Sequence, residues 1–218
     1  MAEPTITRAE SRGERKERTR RAILDAALAL SDETSLVALS LRQVAKEVGI
    51  VPTAFYRHFD SIEALGLALV DESFVSLRAM LRDVRRSDPA LTDVVDRSVS
   101  ILVDHVQRQR AHFQFIARER AAGPPAVREA IRHEIELCER ELAADLARLP
   151  GTATWSDDDL RSVSNLTVTA MVATAEALMN VPDGPVVDRR LARTRIAESA
   201  RVQLRMVLVG ALNWRSRT

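Results

Sequence analysis

Apolar residues recur three and four positions apart through almost the whole chain, and only seven glycines and eight prolines interrupt them in 218 residues. That spacing puts one apolar side chain per turn on a common face, so it dictates helix. No stretch alternates apolar and polar residues between turn signals; the nearest, 98–103, sits inside a longer helical pattern. The predicted fold class is all-α, with about nine helices. Breaks fall near residues 32–40, 49–52, 60–61, 87–89, 123–125, 150–156 and 181–185, where turn or cap chemistry gathers. At one of them Ser156 precedes Asp157, Asp158 and Asp159, a hydroxyl cap and three carboxylates where a helix start favours them. These acids read as structural, and Trp155 before them reads as a staple onto the helix it precedes.

Composition excludes several classes. With 46% hydrophobic and 29% charged residues the chain can bury a core, unlike a disordered one. A net charge of +1 means that any nucleic-acid site must come from local placement of charge. The single cysteine, Cys138, allows no intrachain disulfide and no four-cysteine zinc site, and fits a reducing cytoplasm. The charged opening, 1–21, lacks a secretory apolar stretch, and the longest apolar run, 206–212, is far below the ~18 residues of a membrane span. A soluble cytoplasmic protein is expected, without a membrane partner. No Gly-x-Ser-x-Gly elbow or phosphate-cradling glycine loop occurs, and the adjacent Asp71 and Glu72 diverge by about 100° on a helix. They read as a polar face with one interior partner for an arginine. His105 and His112 share a face without a cysteine. No enzyme activity, metal site or cofactor is expected.

Three short helices can be read between residues 14 and 59. Ile23, Ala26, Ala27 and Leu30 share one face of the first. Ser40 caps a second whose Leu41, Val44, Ala45 and Val48 form a buried stripe, Gly49 closes it, and Pro52 opens a third at 52–58. This is the helix-turn-helix arrangement, whose second member lies in the DNA major groove. Phe55 and Phe59, four apart, anchor that member to the core, while Thr53, Tyr56 and Arg57 share another face and offer donors to phosphates or base edges. Residues 8–21 carry Arg8, Arg12, Arg15, Lys16, Arg18, Arg20 and Arg21 against Glu10, Glu14 and Glu17. They read as a flexible cationic arm that adds salt-sensitive phosphate affinity.

The stretch Ser40-Leu-Arg-Gln-Val-Ala-Lys-Glu-Val-Gly-Ile-Val-Pro-Thr-Ala-Phe-Tyr-Arg-His-Phe59, followed by a helix with Glu63 and Leu65, resembles the N-terminal domain of TetR-family transcriptional regulators. The Phe-Tyr-x-His-Phe ending is its most specific part. The resemblance implies DNA contacts from Ser40, Arg42, Thr53, Tyr56, Arg57, His58 and Ser61. Ile62 departs from it, standing where the family often has a phosphate-binding lysine. Scattered blocks, Val70-Asp-Glu-Ser73, Phe115-Ile-Ala-Arg-Glu-Arg120, Ala175-Glu-Ala-Leu178 and Gln203-Leu-Arg-Met206, resemble the FabR-type branch of repressors of unsaturated fatty-acid synthesis, whose relatives sense acyl-CoA thioesters. Two domains are expected: 1–60, the arm and DNA-binding helices, and 61–218, an effector-binding and dimerisation domain.

In that second part, 166–179 is apolar nearly all round and the last helix, about 188–217, is rich in aliphatic residues, so both need cover that one core cannot give. Paired with a second copy they would form a four-helix bundle, closed by Trp214, and two recognition helices about 34 Å apart would read a palindromic operator. A homodimer is expected. Phe74, Leu77, Leu81, Phe113, Phe115, Ile116, Met171 and Met179 can line a cavity or fill a core; the resemblance favours a pocket for a hydrophobic effector, a long-chain acyl-CoA. Arg110, Arg118, Arg120, Arg128 and Arg132 are candidate cations for its phosphates, or belong to a charge-paired face with the acids between them. The expected function is a DNA-binding transcriptional repressor of fatty-acid or lipid metabolism, with the fourth helix, 61–86, transmitting effector binding. An effector-independent DNA-binding protein, or a regulator of efflux or catabolism with another apolar ligand, stays open.

Overall fold

The computed structural model describes residues 11–86, 93–148, 152 and 154–215, apart from the side chains of 76 and 79–86. Among these residues there are nine helices and no strand: α1 Arg12–Leu30, α2 Leu41–Val48, α3 Pro52–Phe55, α4 Ile62–Arg86, α5 Val94–Arg108, α6 Arg110–Ala122, α7 Pro125–Leu146, α8 Asp157–Met179 and α9 Val186–Leu212. The all-helical reading holds. Three local readings change. First, Arg8 lies outside the described residues, but from Arg12 onward the basic stretch is helix rather than flexible arm. Ser11 Oγ accepts from the Glu14 amide at 3.2 Å and Glu14 Oε2 accepts from the Ser11 amide at 2.7 Å, a reciprocal cap that starts the helix there.

Second, a break between α5 and α6 occurs without glycine or proline. Gln109, at φ −116° and ψ 33°, donates its amide to His105 and accepts at its carbonyl from Phe113, so one residue satisfies both helix ends. Third, α9 begins and ends earlier than 188–217, after Pro185 and before Asn213, whose side-chain amide caps Val209. Trp214, just beyond α9, is exposed, and its indole N–H donates to Asp159 Oδ1 at 2.8 Å, tying the end of α9 to the start of α8. Asp159 also completes the expected cap with Ser156.

The largest core joins the N-terminal helices to α4, α6 and α7. Ile23, Ala27, Val44, Phe55 and Phe59 pack in one cluster with Leu65, Leu69 and Phe74 of α4, Phe115 of α6, and Val127 and Ile131 of α7. A second cluster joins Leu102 and Val106 of α5 to Ala175, Leu178 and Met179 of α8, and a third joins α5 to Ala197, Ala200 and Leu204 of α9.

Polar groups reinforce the first cluster from α6. Glu119, fully buried, accepts from the Leu36 amide at 3.0 Å and from Ser35 Oγ at 3.2 Å, holding the loop between α1 and α2. Burial pushes its carboxyl above the ordinary range, and the two hydrogen bonds and Arg118 offset part of that. A side chain at Gly123 would lie 2.7 Å from Glu119 Oε2, so glycine leaves the carboxylate its space. Arg118 Nη2 donates to the Asp32 carbonyl at 2.6 Å, and Ser35 Oγ also lies 3.2 Å from the Ala122 carbonyl.

Two turns earlier on α6, His112 meets α4 and α1. Ser73 Oγ spends its proton on the Leu69 carbonyl, so His112 Nδ1, 2.9 Å away, is assigned as the donor to it. Nε2 then faces Glu72, 3.7 Å away, which is the carboxylate that Arg21 engages at 2.6 Å; Arg21 also holds Asp25. Burial lowers the His112 pKa, Glu72 and Asp25 raise it and Arg21 lowers it, with burial dominant. The folded chain therefore binds the proton less readily than the unfolded one, and stability falls as pH drops through the ordinary value of 6.5. Thermal melts at about pH 7.5 and 5.5 should show a smaller loss of Tm in His112→Gln than in wild type; equal losses would refute this role.

Candidate nucleic-acid interface and apolar cavity

Local chemistry builds the helix-turn-helix almost residue by residue. Ser40 accepts from the Gln43 amide while Gln43 Oε1 accepts from the Ser40 amide at 2.8 Å, so α2 starts with a reciprocal cap. Gly49 closes it at φ 73°, a left-handed conformation, and the Ile50 amide returns to Ala45. Pro52 opens α3 at once. The α-helical part is only Pro52–Phe55; over 56–58 it continues as a tighter turn, with Arg57 bonded to Ala54 and His58 to Phe55.

Phe55 and Phe59 are buried, with ring centroids 5.9 Å apart, and they fix which side of this stub looks outward. Thr53, Tyr56 and Arg57 are exposed, Tyr56 at 58%, and so are Ser40, Arg42 and Ser61. Ser61 Oγ accepts from the Ala64 amide at 3.0 Å and caps α4. Ile62 packs against the core, so the position that departs from the resembled pattern is an apolar contact. His58 is half-buried, and its Nδ1 is buried without a hydrogen-bond partner. Burial lowers its pKa first, then the charges of Lys16, Arg20 and Arg57, against which Glu17 acts. The cations of α1 thus reach the recognition stub from a rigid helix; Arg20 also lies 5.0 Å from the centre of the Phe59 ring. The flexible-arm reading misses this, although Lys16 and Arg20 stand four apart on one helical face.

Between α4 to α9 lies an apolar cavity of about 420 Å³. Of the expected lining, Phe74, Leu77, Phe113, Ile116, Met171 and Met179 border it. Phe115 does not: it is fully buried in the first core cluster, one face over from Phe113 on the same helix. The side chain of Leu81 lies outside those described. Ile135 of α7, another residue the sequence offers for a pocket, borders it too; sequence reasoning misses Leu142 and Leu146 of α7, Leu208 of α9, and Trp155. Their spacing is ordinary amphipathic helix and carries no sign of a void.

His105 and His112 serve separate neighbours, the edge of the Phe113 ring and Ser73, and the described residues contain no cluster of three metal-ligating side chains. No described helix is long and apolar enough to cross a membrane. Replacing Gly49 by alanine meets no atom within 4 Å. Its cost is then backbone strain alone, about 1 kcal/mol in urea denaturation; a neutral effect would show that the turn can rearrange.

Comparison with known proteins agrees with this geometry. Residues 23–69 match the family model for bacterial regulatory proteins of the tetR family. Salmonella enterica GusR superposes with a TM-score of 0.64 at 23% identity, covering 88% of this chain and 96% of that one. A TetR-family transcriptional regulator from Streptomyces coelicolor gives 0.66 at 18% identity, covering 90% and 97%, and a transcriptional regulator from Rhodococcus sp. Rha1 gives 0.62 at 19%, covering 92% and 99%. At these identities the likeness is one of fold. The helix-turn-helix and its bracing helix therefore carry the tetR-family signature, within a chain that shares the fold of such regulators over most of its length.

Proposed function

We propose that this protein is a TetR-family transcription regulator that binds a palindromic DNA operator as a homodimer and answers to an apolar effector. The observation that carries the DNA reading is the orientation of the α3 stub: two buried phenyl rings hold it so that Thr53, Tyr56 and Arg57 stand free. A hydroxyl, a phenol and a guanidinium on one exposed face suit base edges and phosphates, with Arg42 and the half-buried His58 beside them. Ser40 and Ser61 cap helices, and exposed caps of this kind present helix N-termini to phosphate.

The dimer reading rests on α8 and α9, which pack on each other and leave one side bare. Leu166, Thr169, Ala173 and Ala177 are exposed at helical spacing on α8, and Val202, Met206 and Val209 on α9, Met206 at 69%. Small residues on one helix and larger aliphatic ones on the other allow close packing against a second copy.

The effector reading rests on the cavity and on α6. Phe113, Ile116, Ala117 and Arg120 border the cavity, whereas His112, Phe115 and Glu119 on the adjoining face hold α4 and the α1–α2 loop. Occupancy of the cavity acts on the DNA-binding helices through α6 directly, in addition to the fourth helix that the sequence reading assigns as transmitter. An acyl chain suits the lining, which supports the acyl half of the acyl-CoA expectation and a role in lipid metabolism.

Footprinting on the DNA upstream of its own coding sequence tests the reading. Tyr56→Phe and Arg57→Ala should each weaken operator binding by about tenfold or more with the dimer intact; unchanged affinity in both would discard the contact assignment. Met206→Glu should sediment as a monomer at micromolar concentration and lose the footprint, whereas a dimeric Met206→Glu would place the interface elsewhere.

A further inference from the structure

The cavity's charges are already matched within the chain. Its described lining includes three charged side chains, Arg120, Asp145 and Glu176. Arg120 Nη2 lies 2.5 Å from Glu176 Oε1, joining α6 to α8, and Asp145 pairs with Arg148 at 3.3 Å. The rest is mainly apolar, from Phe74 and Leu77 at one end to Leu146 and Leu208 at the other. Lining residues on α8 run from Val163 to Met179, a helical rise of about 24 Å, so the space is long rather than round.

Four of the candidate cations for a multiply charged ligand already have partners within the chain. Arg110 donates to the Met179 carbonyl at 2.9 Å, Arg118 to that of Asp32 and Arg128 to that of Gly123, while Arg132 pairs with Glu129. None of these four arginines is among the residues that border the cavity, so they do not bring a polyphosphate's charge to it. A carboxylate in the cavity meets Glu176 as a like charge beside the one arginine of the lining, and an ammonium meets Arg120 in the same way. An uncharged ligand meets neither cost, because the pair offers it both roles: Arg120 donates to a carbonyl or hydroxyl oxygen, and Glu176 accepts from a hydroxyl.

We infer that the effector is an uncharged, chain-like apolar molecule with a hydroxyl or carbonyl at one end, and that the Arg120–Glu176 pair selects it against carboxylates and coenzyme A thioesters. This rests on the apolar-effector reading above and narrows it. The pair also fixes the orientation: the polar end lies beside Arg120 on α6 and the chain runs along α8 towards Trp155.

Matched ligands test it. Hexadecanol, hexadecanoate and hexadecanoyl-CoA, each below its aggregation concentration, are titrated into the full-length protein by calorimetry. The alcohol should bind at least about tenfold more tightly than the other two. In Glu176→Gln, which leaves Arg120 unpaired, hexadecanoate should gain about tenfold or more while the alcohol gains nothing. In Arg120→Gln the carboxylate should bind no better than in wild type, a control that separates charge selection from general loosening. Equal or tighter binding of hexadecanoate or hexadecanoyl-CoA by the wild type overturns this inference and leaves the apolar-effector reading standing. An unmoved order in a folded Glu176→Gln does the same. Failure of all three ligands to bind removes both.

Discussion

The DNA-binding helices and the cavity both rest on α6, a helix of 13 residues whose two adjoining faces have different work. On α6, positions 113, 116, 117 and 120 border the cavity, and positions 112, 115 and 119 enter the packing around α1, α4 and the α1–α2 loop. Phe113 and Phe115 are two residues apart, yet one faces a void and the other is sealed in the core. A helix is stiff on this length scale, so neither face can move without the other. Glu119 makes the second face demanding. A carboxylate fully removed from water must keep its hydrogen bonds, and here they come from the backbone of the loop that leads into α2.

The helix-turn-helix was largely legible because its determinants are local. Ser40, Gly49 and Pro52 each act on backbone within a few residues, and Phe55 and Phe59 share a face by spacing alone. All five perform as the sequence implies. The N-terminus of α1 was less legible: seven basic residues suggested a loose arm, although Ser11 and Glu14 carry a capping box that starts helix. The break at Gln109 had no local sign, since no glycine or proline marks it and it depends on how α5 and α6 pack. Nothing in the spacing around Glu119 marks it as a buried group. Its burial depends on the loop 83 residues earlier in the chain, a separation no periodicity reports.

Charge placement shows the same division between composition and geometry. A net charge of +1 says nothing of an anionic partner, but the structure sorts the cations by neighbour. Lys16 and Arg20 gather by His58 beside the exposed face of α3, whereas Arg21, next in sequence, turns the other way to Asp25 and Glu72. One helix face therefore serves the outward surface and another serves the fold. The arginines of α6 and α7 belong to the second kind. Arg110, Arg118, Arg120, Arg128 and Arg132 act there as caps and bridges, which fits the charge-paired face that the alternating acids suggest.

The helices that wall the cavity are also those with the bare outer side. On α8, Val168, Met171, Val172 and Ala175 border the cavity while Leu166, Thr169 and Ala173 face out. On α9, Leu204, Val207, Leu208 and Ala211 border it while Val202, Met206 and Val209 face out. A ligand of the proposed kind that spreads α6 from α8 would therefore work against the Glu119 hydrogen bonds on the far side of α6 and, in the proposed dimer, against the packing of a second copy on the outside. The displacement is bounded by the ligand's preference for one arrangement over the other. In the proposed reading, with the described charges matched and most of the described lining apolar, that preference comes from shape and from one ion pair. Arg120 and Glu176 join α6 to α8, so the pair proposed to read the ligand's polar end would also respond to the distance between these two helices.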